Sequence, residues 1–294
     1  MGKGLKDRSE AADSEHGQEY TVIKLSNYTE LLSRLRARNS YAIPALTYME
    51  PRYLPFARWY LATAGTVESE ALCLYLNGSY GSTVFTMGDS IGMEHIFKAQ
   101  RGPRNPYLIY EAHHVESLSK YYLLQKRQKL IRMVVNRESF IAAPAEQAAL
   151  LKPENNMDVN TLYKSEGGGW FSKQYLSDGV YYGVWQDDML VSVAGTQSIS
   201  KAYGTAMVAN VLTDPGYRGR GYATECTSAV TAGLLEMCDT VGLNVEIDNV
   251  PAIQVYTKLG YKQTDHLEEA WGLRKGGIFG FIAGFFEGLT GKSN

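Results

Sequence analysis

An apolar strand, a glycine-rich loop and a long helix follow one another in the second half of this chain. Residues 206–212 (AMVANVL) predict a buried strand, and residues 224–237 predict a helix. Between them lies the sequence TDPGYRGRGYA, residues 213–223. The first amides of a helix have no partners inside the helix, and the helix dipole favours negative charge at that end. The segment therefore predicts an anion site where a strand passes into a helix.

The composition of the loop favours a phosphate as the anion. Gly219 and Gly221 permit positive φ and close approach of a phosphate to the backbone, and Arg218 and Arg220 add positive charge. The loop does not end in Gly-Lys-Ser/Thr, which disfavours a metal-bound nucleoside triphosphate. It also lacks the Gly-x-Gly-x-x-Gly spacing of a dinucleotide-binding fold.

Two blocks of sequence resemble the GNAT N-acetyltransferase superfamily, which binds acetyl-coenzyme A. Arg218, Gly221 and Ala223 are similar to its pyrophosphate-binding motif, R-x-x-G-x-A. After a predicted strand at residues 243–248, the block NVPAIQVYTKLGY at residues 249–261 resembles the closing motif of the superfamily. That motif consists of Asn, then Ala, then Tyr, then Gly followed by an aromatic residue. The two blocks occur in the expected order.

The resemblance implies an α/β (α+β) protein with the GNAT fold, a mixed, mostly antiparallel twisted sheet flanked by helices. It covers residues 155–274. The last apolar run of the first half, LIRMVV at residues 130–135, is similar to a two-lobed, glycine-N-acyltransferase-like subgroup. In that subgroup a smaller, degenerate GNAT-like α/β lobe precedes the active one. An unrelated α/β lobe is the alternative for the first half.

The chain of 294 residues is long enough for two domains of about 150 residues each. Its polar N-terminus lacks the apolar core of a signal peptide, and Pro144 and Pro153 interrupt the pattern between the halves. The predicted organisation is a disordered tail (1–19), an N-terminal α/β lobe (20–142), a linker (143–157), a GNAT acetyltransferase domain (158–275) and an apolar Gly/Phe-rich tail (276–294).

The resemblance implies transfer of an acyl group from coenzyme A to an amine by direct attack in a ternary complex. Acetyl-CoA, or another acyl-CoA, is the expected co-substrate. No metal is expected, because the sequence contains no CxxC or HxxxH pair. By resemblance, the residues expected to contact the pantetheine arm are Val211, Leu212, Thr213 and Asn249, and those expected at the pyrophosphate are Arg218, Gly219, Arg220, Gly221, Tyr222 and Ala223.

Two catalytic residues are expected. Tyr256 matches the superfamily tyrosine that donates a proton to the leaving sulfur or hydrogen-bonds it. In many members, a Glu on the strand before the pyrophosphate-binding loop acts as the general base, but residues 205–213 contain no carboxylate. On the next predicted strand Glu246 shares one face with Asn244 and Asp248 at period two, so Glu246 is the preferred general base. A solvated strand face is the alternative.

Charge and cysteine content restrict the classes of function and partner. The formal net charge of −2 gives no sign of nucleic-acid binding, which usually needs a basic face. Three widely spaced cysteines favour a reducing compartment, so a cytoplasmic location is expected. The acceptor is an amine of undetermined identity, with its pocket expected around residues 165–177 and 197–203. Two alternatives to catalysis stay open: a CoA-binding sensor or scaffold without turnover, and a membrane-associated interaction protein.

The C-terminal tail lies outside the standard domain. Glycines at positions 276, 280, 284 and 288 recur every four residues among apolar side chains. A helix over residues 276–289 is too short to span a bilayer of about 30 Å. Docking onto the protein's own body, a homodimer contact, and peripheral membrane contact are the alternatives for this segment.

Overall fold

A computed structural model describes residues 19–78 and 81–276 of the chain. These residues form one sheet of twelve strands with helices on both faces. The strands are β1 (Thr21–Lys24), β2 (Ala57–Thr63), β3 (Ala71–Gly78), β4 (Gly81–Gly88), β5 (Pro106–Tyr110), β6 (Tyr122–Asn136), β7 (Ala149–Leu150), β8 (Tyr182–Gln186), β9 (Met189–Ser200), β10 (Thr205–Thr213), β11 (Thr240–Glu246) and β12 (Lys262–Arg274). The α-helices are α1 (Tyr28–Ala37), α2 (Asn39–Thr47), α3 (Ser90–Ala99), α4 (Val115–Tyr121), α5 (Asn156–Ser165), α6 (Lys173–Asp178), α7 (Tyr222–Leu235) and α8 (Val250–Lys258).

The strand order in the sheet is β1-β2-β3-β4-β5-β12-β6-β11-β10-β9-β8-β7. Within the described residues, the pairs β4–β5 and β10–β11 are parallel and the other pairings are antiparallel. The expected mixed, mostly antiparallel sheet is therefore confirmed.

The strand order reveals an internal repeat. Strands β1 to β5 occupy one side of the sheet in the same sequence as β7 to β11 on the other side. The strand that ends each half is exchanged at the centre. β6, which follows the first half, pairs with β11, and β12, which follows the second half, pairs with β5. The first half is thus a lobe of the same architecture as the second, as the resemblance implied.

Each face of the sheet is covered by helices whose apolar side chains enter a core. α7 lies on one face and buries Cys226, Val230 and Leu234 against β10 and β11. On the other face, α1 contributes Leu31 and Leu35 to a second core cluster. Because both faces are covered, residues 71–76 of β3 are buried on both sides of the sheet.

Several elements differ from the sequence expectations. β6 extends over Tyr122–Asn136, beyond the apolar run at 130–135, because residues 125–129 are polar and exposed and carry no apolar signal. α2 was not predicted, since Pro44 lies inside it and residues 41–47 are buried all round. The stretch predicted as a linker, 143–157, contains β7 and the start of α5. The predicted domain bounds themselves stay predictions.

The tails predicted at 1–19 and 276–294 lie outside the described residues, except for Glu19 and Gly276. Of the helices that the structure describes, none combines the length and the apolar character needed to cross a bilayer.

Candidate active site

Two neighbouring parallel strands separate in the second lobe. β10 and β11 pair from Thr205 opposite Thr240 to Val208 opposite Leu243, and no further within the described residues. Beyond that point β10 continues along β9, and β11 continues along β6. The divergence opens a cavity of about 590 Å³ between residues 208–212 and residues 243–246. We call it the wedge cavity.

A β-bulge in β10 faces this opening. The register with β9 jumps between Ala209 and Leu212, and Asn210 adopts a φ of 58°. Asparagine tolerates this left-handed conformation better than most residues. Its side-chain amide donates to the Tyr181 hydroxyl at 3.1 Å, and its carbonyl accepts from the Tyr163 hydroxyl at 3.3 Å. In the described sheet neither Asn210 nor Val211 has a cross-strand register partner, and the peptide group of Val211 is available to a ligand.

The loop after β10 forms an anion cradle at the start of α7. Gly219 and Gly221 adopt φ values of 78° and 88°, which favour glycine. Gly221 is the N-cap of α7, and among the described residues no side chain caps its first amides. A Cβ atom added at either glycine would have no neighbour within 4 Å. The glycines are therefore required by backbone conformation, and the space in front of the helix end is open.

The two arginines of the loop hold its shape. Nε of Arg218 donates to the Thr213 carbonyl at 3.0 Å, and its Nη2 forms an ion pair of 2.7 Å with Glu166. Arg220 donates to the Gly216 carbonyl at 3.2 Å and lies 4.9 Å from the centre of the Tyr217 ring. Both guanidinium groups are exposed enough to turn toward an anion.

Helix α8 brings Tyr256 and Asn249 to the wedge cavity. Tyr256 is only 6% exposed and packs edge-on against Tyr261 at 6.1 Å between ring centres. Burial raises the pKa of Tyr256 to about 12. Among the described residues its hydroxyl has no hydrogen-bond partner. Asn249 caps α8 by accepting a 3.2 Å hydrogen bond from the amide of Ala252.

Three carboxylates and no basic side chain line the wedge cavity, among the residues that the structure describes. Glu166 is paired with Arg218, as described above. Glu246 is exposed and accepts a hydrogen bond of 2.6 Å from Gln128. Glu269, on β12, is buried with 7% exposure. The part of the cavity lined by Glu246 and Glu269, which we call its acidic end, suits a cationic group.

Glu269 is held on both of its oxygens. The Tyr107 hydroxyl donates to Oε2, and Nδ2 of Asn244 donates to Oε1 at 2.8 Å. Burial raises the pKa of the Glu269 carboxyl, while the two hydrogen bonds and the charge of Arg132 oppose that rise. A buried carboxyl with a raised pKa, next to a cavity, is a candidate general base.

Comparisons with known proteins agree with this geometry. Residues 181–271 match the family model described as FR47-like protein. A Drosophila protein of known structure superposes with a TM-score of 0.61 at 13% identity, covering 86% of this chain and 98% of its own. A GCN5-related N-acetyltransferase from Sphaerobacter thermophilus gives 0.50 at 14% identity, covering 87% and 96%. A protein assigned to the GNAT family from Novosphingobium aromaticivorans gives 0.52 at 19%, covering 69% and 89%.

The chain has the GNAT fold. The Drosophila and Sphaerobacter structures span both lobes, since each covers more than four fifths of this chain. The curated proteins contain no match to the sequence. The comparisons thus establish the two-lobed GNAT fold and leave the reaction to be argued from the site.

Five of the twelve residues expected at the GNAT site line the wedge cavity. Its lining includes Val211, Leu212, Asn249, Tyr256 and Glu246. Thr213 lies at the end of β10 and exchanges a 2.8 Å hydrogen bond with the Ser192 hydroxyl. Of the loop residues, Arg218 to Gly221 are exposed, whereas the Tyr222 side chain is 8% exposed in the core and Ala223 is half-buried. Their roles in cofactor binding stay predictions.

Sequence reasoning missed Glu269 and Tyr107. Glu269 shares one face of β12 with Leu267 and Trp271, a pattern that marks a partly buried strand face. The pattern could have singled out Glu269 as a carboxylate on an apolar face. It could not have placed Glu269 within hydrogen-bond reach of Asn244 on β11, because that placement depends on the exchange of β6 and β12.

The corresponding junction of the first GNAT lobe is closed. Asp89, between β4 and α3, accepts a 2.6 Å hydrogen bond from the Gly92 amide and so blocks the helix end with its own carboxylate. Next to it, Glu111 accepts from the Gly88 amide at 2.7 Å. These contacts occupy the positions that the second lobe leaves open.

A cluster of Glu111, His113 and His114 places potential metal ligands within 4.8 Å of one another. Nε2 of both histidines lies within 2.9 Å of the Gly88 carbonyl, and Nδ1 of His114 is 2.8 Å from the Thr86 hydroxyl. Burial lowers the pKa of His114 to about 4, so the ring is neutral at pH 7. The ring nitrogens are engaged in hydrogen bonds that join β4 to the turn after β5.

Proposed function

We propose that the chain is an acyl-CoA-dependent N-acyltransferase, with acetyl-CoA as the donor to be tested first. The observation that carries the proposal is the divergence of β10 and β11, which opens directly beside the uncapped helix end of α7. An extended pantetheine arm needs a strand with free peptide groups, and a pyrophosphate needs free amides and positive charge. This chain offers the two side by side.

The residues of β10 and the following loop would bind the donor. The peptide groups of Val211 and Leu212 and the end of β10 at Thr213 would pair with the pantetheine arm. The amides after Gly219 and Gly221 would bind the pyrophosphate, and Arg218 would exchange its contact with Glu166 for a phosphate. The thioester of the donor supplies an acyl group that is already activated, so the protein has mainly to position and polarise it.

The acidic end of the wedge cavity would bind the acceptor as an ammonium ion. An amine of this kind has a pKa of about 10.4, so it must lose a proton before it attacks. Glu269 is the group best placed to take that proton, because it is buried and fixed by Tyr107 and Asn244. Glu246, on the exposed side of the cavity, is the competing base. The amide of Val211 at the bulge would stabilise negative charge on the acyl oxygen.

Tyr256 would act on the sulfur. The pKa of a thiol is about 8.5, well below the value of about 12 to which burial raises the pKa of Tyr256. The tyrosine therefore stays protonated and donates a hydrogen bond to the thiolate. Glu269 receives one proton from the ammonium before attack, and the neutral amine then forms the C–N bond as the C–S bond breaks. The nitrogen loses its second proton to solvent, and the thiolate takes a proton from solvent, so that the products are a neutral amide and a free thiol.

The test is release of free thiol from acetyl-CoA by the purified full chain in the presence of amines. The expected result is release that depends on both the protein and the amine, with the acetylated amine identified by mass spectrometry. The proposal would be overturned if the protein binds acetyl-CoA but no amine in a broad panel causes release of free thiol. The chain would then be a CoA-binding scaffold.

A further inference from the structure

A second cavity lies between the two lobes and adjoins the wedge cavity. It has a volume of about 310 Å³, and Tyr107 and Gln197 line both cavities. Its walls come from the end of α2 and from β5 in the first lobe, and from α6 and β9 in the second. We call it the interlobe cavity. If the amine of an acceptor lies near Glu269, the rest of the acceptor molecule can occupy the interlobe cavity.

Five aromatic side chains among the described residues line the interlobe cavity, together with uncharged polar residues. Tyr48 and Tyr53 pack edge-on at 5.4 Å, and Tyr107 and Trp271 pack edge-on at 5.2 Å. Tyr175 enters from α6 in the opposite lobe and contacts the Phe171 ring at 5.3 Å. The rings thus hold one another in place before any ligand arrives, which lowers the entropic cost of binding.

Two of these rings are unusually exposed. Trp271 is 51% exposed and Tyr175 is 49% exposed, and they line the same cavity from different lobes. Half-exposed aromatic side chains that converge on a cavity indicate binding of a flat apolar group. A volume of about 310 Å³ fits one small ring system and not a folded peptide segment.

The charges of the two cavities differ. Arg52 and Asp178 are the charged residues among the described lining of the interlobe cavity, so their charges cancel. The guanidinium of Arg52 lies 4.8 Å from the centre of the Tyr53 ring, and Asp178 accepts from Gln174 at 2.8 Å. The three carboxylates lie in the wedge cavity instead. A ligand with one cationic end and one uncharged end is therefore matched, whereas a polyamine would place a second cationic group in a cavity whose two charged residues cancel.

We infer that the acceptor is a small primary amine that carries an aromatic ring, with the ring between Trp271 and Tyr175 and the nitrogen beside Glu269. The inference rests on the proposed acyl transfer. It excludes polyamines, glycine and lysine side chains of proteins as the preferred acceptors.

The experiment compares acceptors that all carry a primary amine and differ in the rest of the molecule. Thiol release from acetyl-CoA is measured with 2-phenylethylamine, ethylamine, spermidine, glycine and a lysine-containing peptide. Because burial of a ring is worth several-fold to more than tenfold in affinity, kcat/KM for 2-phenylethylamine should exceed that for ethylamine by at least about 10-fold. Preference for spermidine, glycine or the peptide would overturn the inference while leaving acyl transfer intact, and no release with any amine would instead remove its basis.

Variants locate the preference in the interlobe cavity. Trp271→Ala, on β12, and Tyr175→Ala, on α6, should each lower the ratio of kcat/KM for 2-phenylethylamine to kcat/KM for ethylamine by about 10-fold. The control is Tyr28→Ala, which removes a tyrosine that is 48% exposed and lines neither cavity. Its ratio should equal that of the unmodified chain. A preference that survives both cavity variants, each shown to be folded by its melting curve, would contradict the assignment.

Discussion

The side-chain amide of Asn244 donates a hydrogen bond of 2.8 Å to the carboxylate of Glu269, although β6 separates their strands in the sheet. The Tyr107 hydroxyl donates to the other oxygen of the same carboxylate. Residues from β5, β11 and β12 therefore fix one buried carboxylate at the wall of the wedge cavity. The exchange of β6 and β12 between the lobes makes this arrangement possible.

Glu269→Gln should lower kcat by about 100-fold or more, because a glutamine cannot accept the ammonium proton. Glu246→Gln is the matched control, since Glu246 lines the same cavity on its exposed side. The account expects kcat of the control to stay near that of the unmodified chain, as measured by thiol release. The reverse pattern, in which Glu246→Gln is the inactive variant, would return the role of base to Glu246.

The pH dependence of kcat/KM should report Glu269. The base must be deprotonated to act, and burial raises the pKa of its carboxyl above the ordinary value. Activity should therefore fall with decreasing pH, with a midpoint above about 4.3, the ordinary pKa of a glutamic acid. A midpoint at or below that value would contradict the role of a buried base.

Arg132→Met should move that midpoint to higher pH. Arg132 is fully buried, and its positive charge opposes the rise in the pKa of Glu269. Burial lowers the pKa of Arg132 to about 10, so it remains charged at pH 7. Without that charge, the carboxylate is less favoured and the pKa of Glu269 rises.

The stability of Arg132→Met should be measured as well, to show that the variant is folded. Nε and Nη2 of Arg132 have no hydrogen-bond partner among the described residues, and Nη1 contacts the sulfur of Met207 at 3.1 Å. Replacing a poorly paired buried charge by an apolar side chain of similar length is often neutral or stabilising. The free energy of unfolding should thus not fall. An unchanged pH profile in a folded variant would separate Arg132 from Glu269.

Tyr256→Phe should lower kcat by about 10- to 100-fold, the worth of one hydrogen bond to a charged group. The affinity for acetyl-CoA and the melting temperature should not change, because the hydroxyl has no partner among the described residues. Calorimetry and thermal melting check these two expectations. Loss of affinity together with stability would indicate that Tyr256 is a packing residue.

Asn210→Ala should destabilise the chain more than Asn210→Gly does. Both variants lose the hydrogen bond to Tyr181, but alanine must also adopt the φ of 58°. That conformation costs an alanine about 1 kcal/mol, whereas a glycine adopts it freely. Urea unfolding of the pair measures the difference, and equal free energies would mean that the bulge relaxes without cost.

The parts of the fold that the sequence predicts are those with local signals. β10, the loop and α7 follow one another along the chain. An apolar run followed by a glycine-rich segment and a second, longer apolar segment is enough to predict them. The expected strand at 206–212 and helix at 224–237 correspond to Thr205–Thr213 and Tyr222–Leu235. Tyr256 and Asn249 follow from the second block in the same way.

The parts that the sequence does not predict depend on contacts between distant residues. Glu269 becomes buried only because β12 lies between β5 and β6, and no local pattern encodes that exchange. The polar residues 125–129 of β6 form a strand because β12 pairs with this stretch. Pro44 is tolerated in α2 because the surrounding core buries the helix on all sides.

The most direct test of the account is calorimetric titration of the full chain with acetyl-CoA, alongside Arg218→Ala and Glu166→Gln. The predicted result is micromolar binding that Arg218→Ala weakens by about 10-fold or more. Glu166→Gln should bind as tightly as the unmodified chain or more tightly, since it releases Arg218 from its 2.7 Å ion pair. Absence of binding by the unmodified chain would contradict the assignment of the wedge cavity to acetyl-CoA.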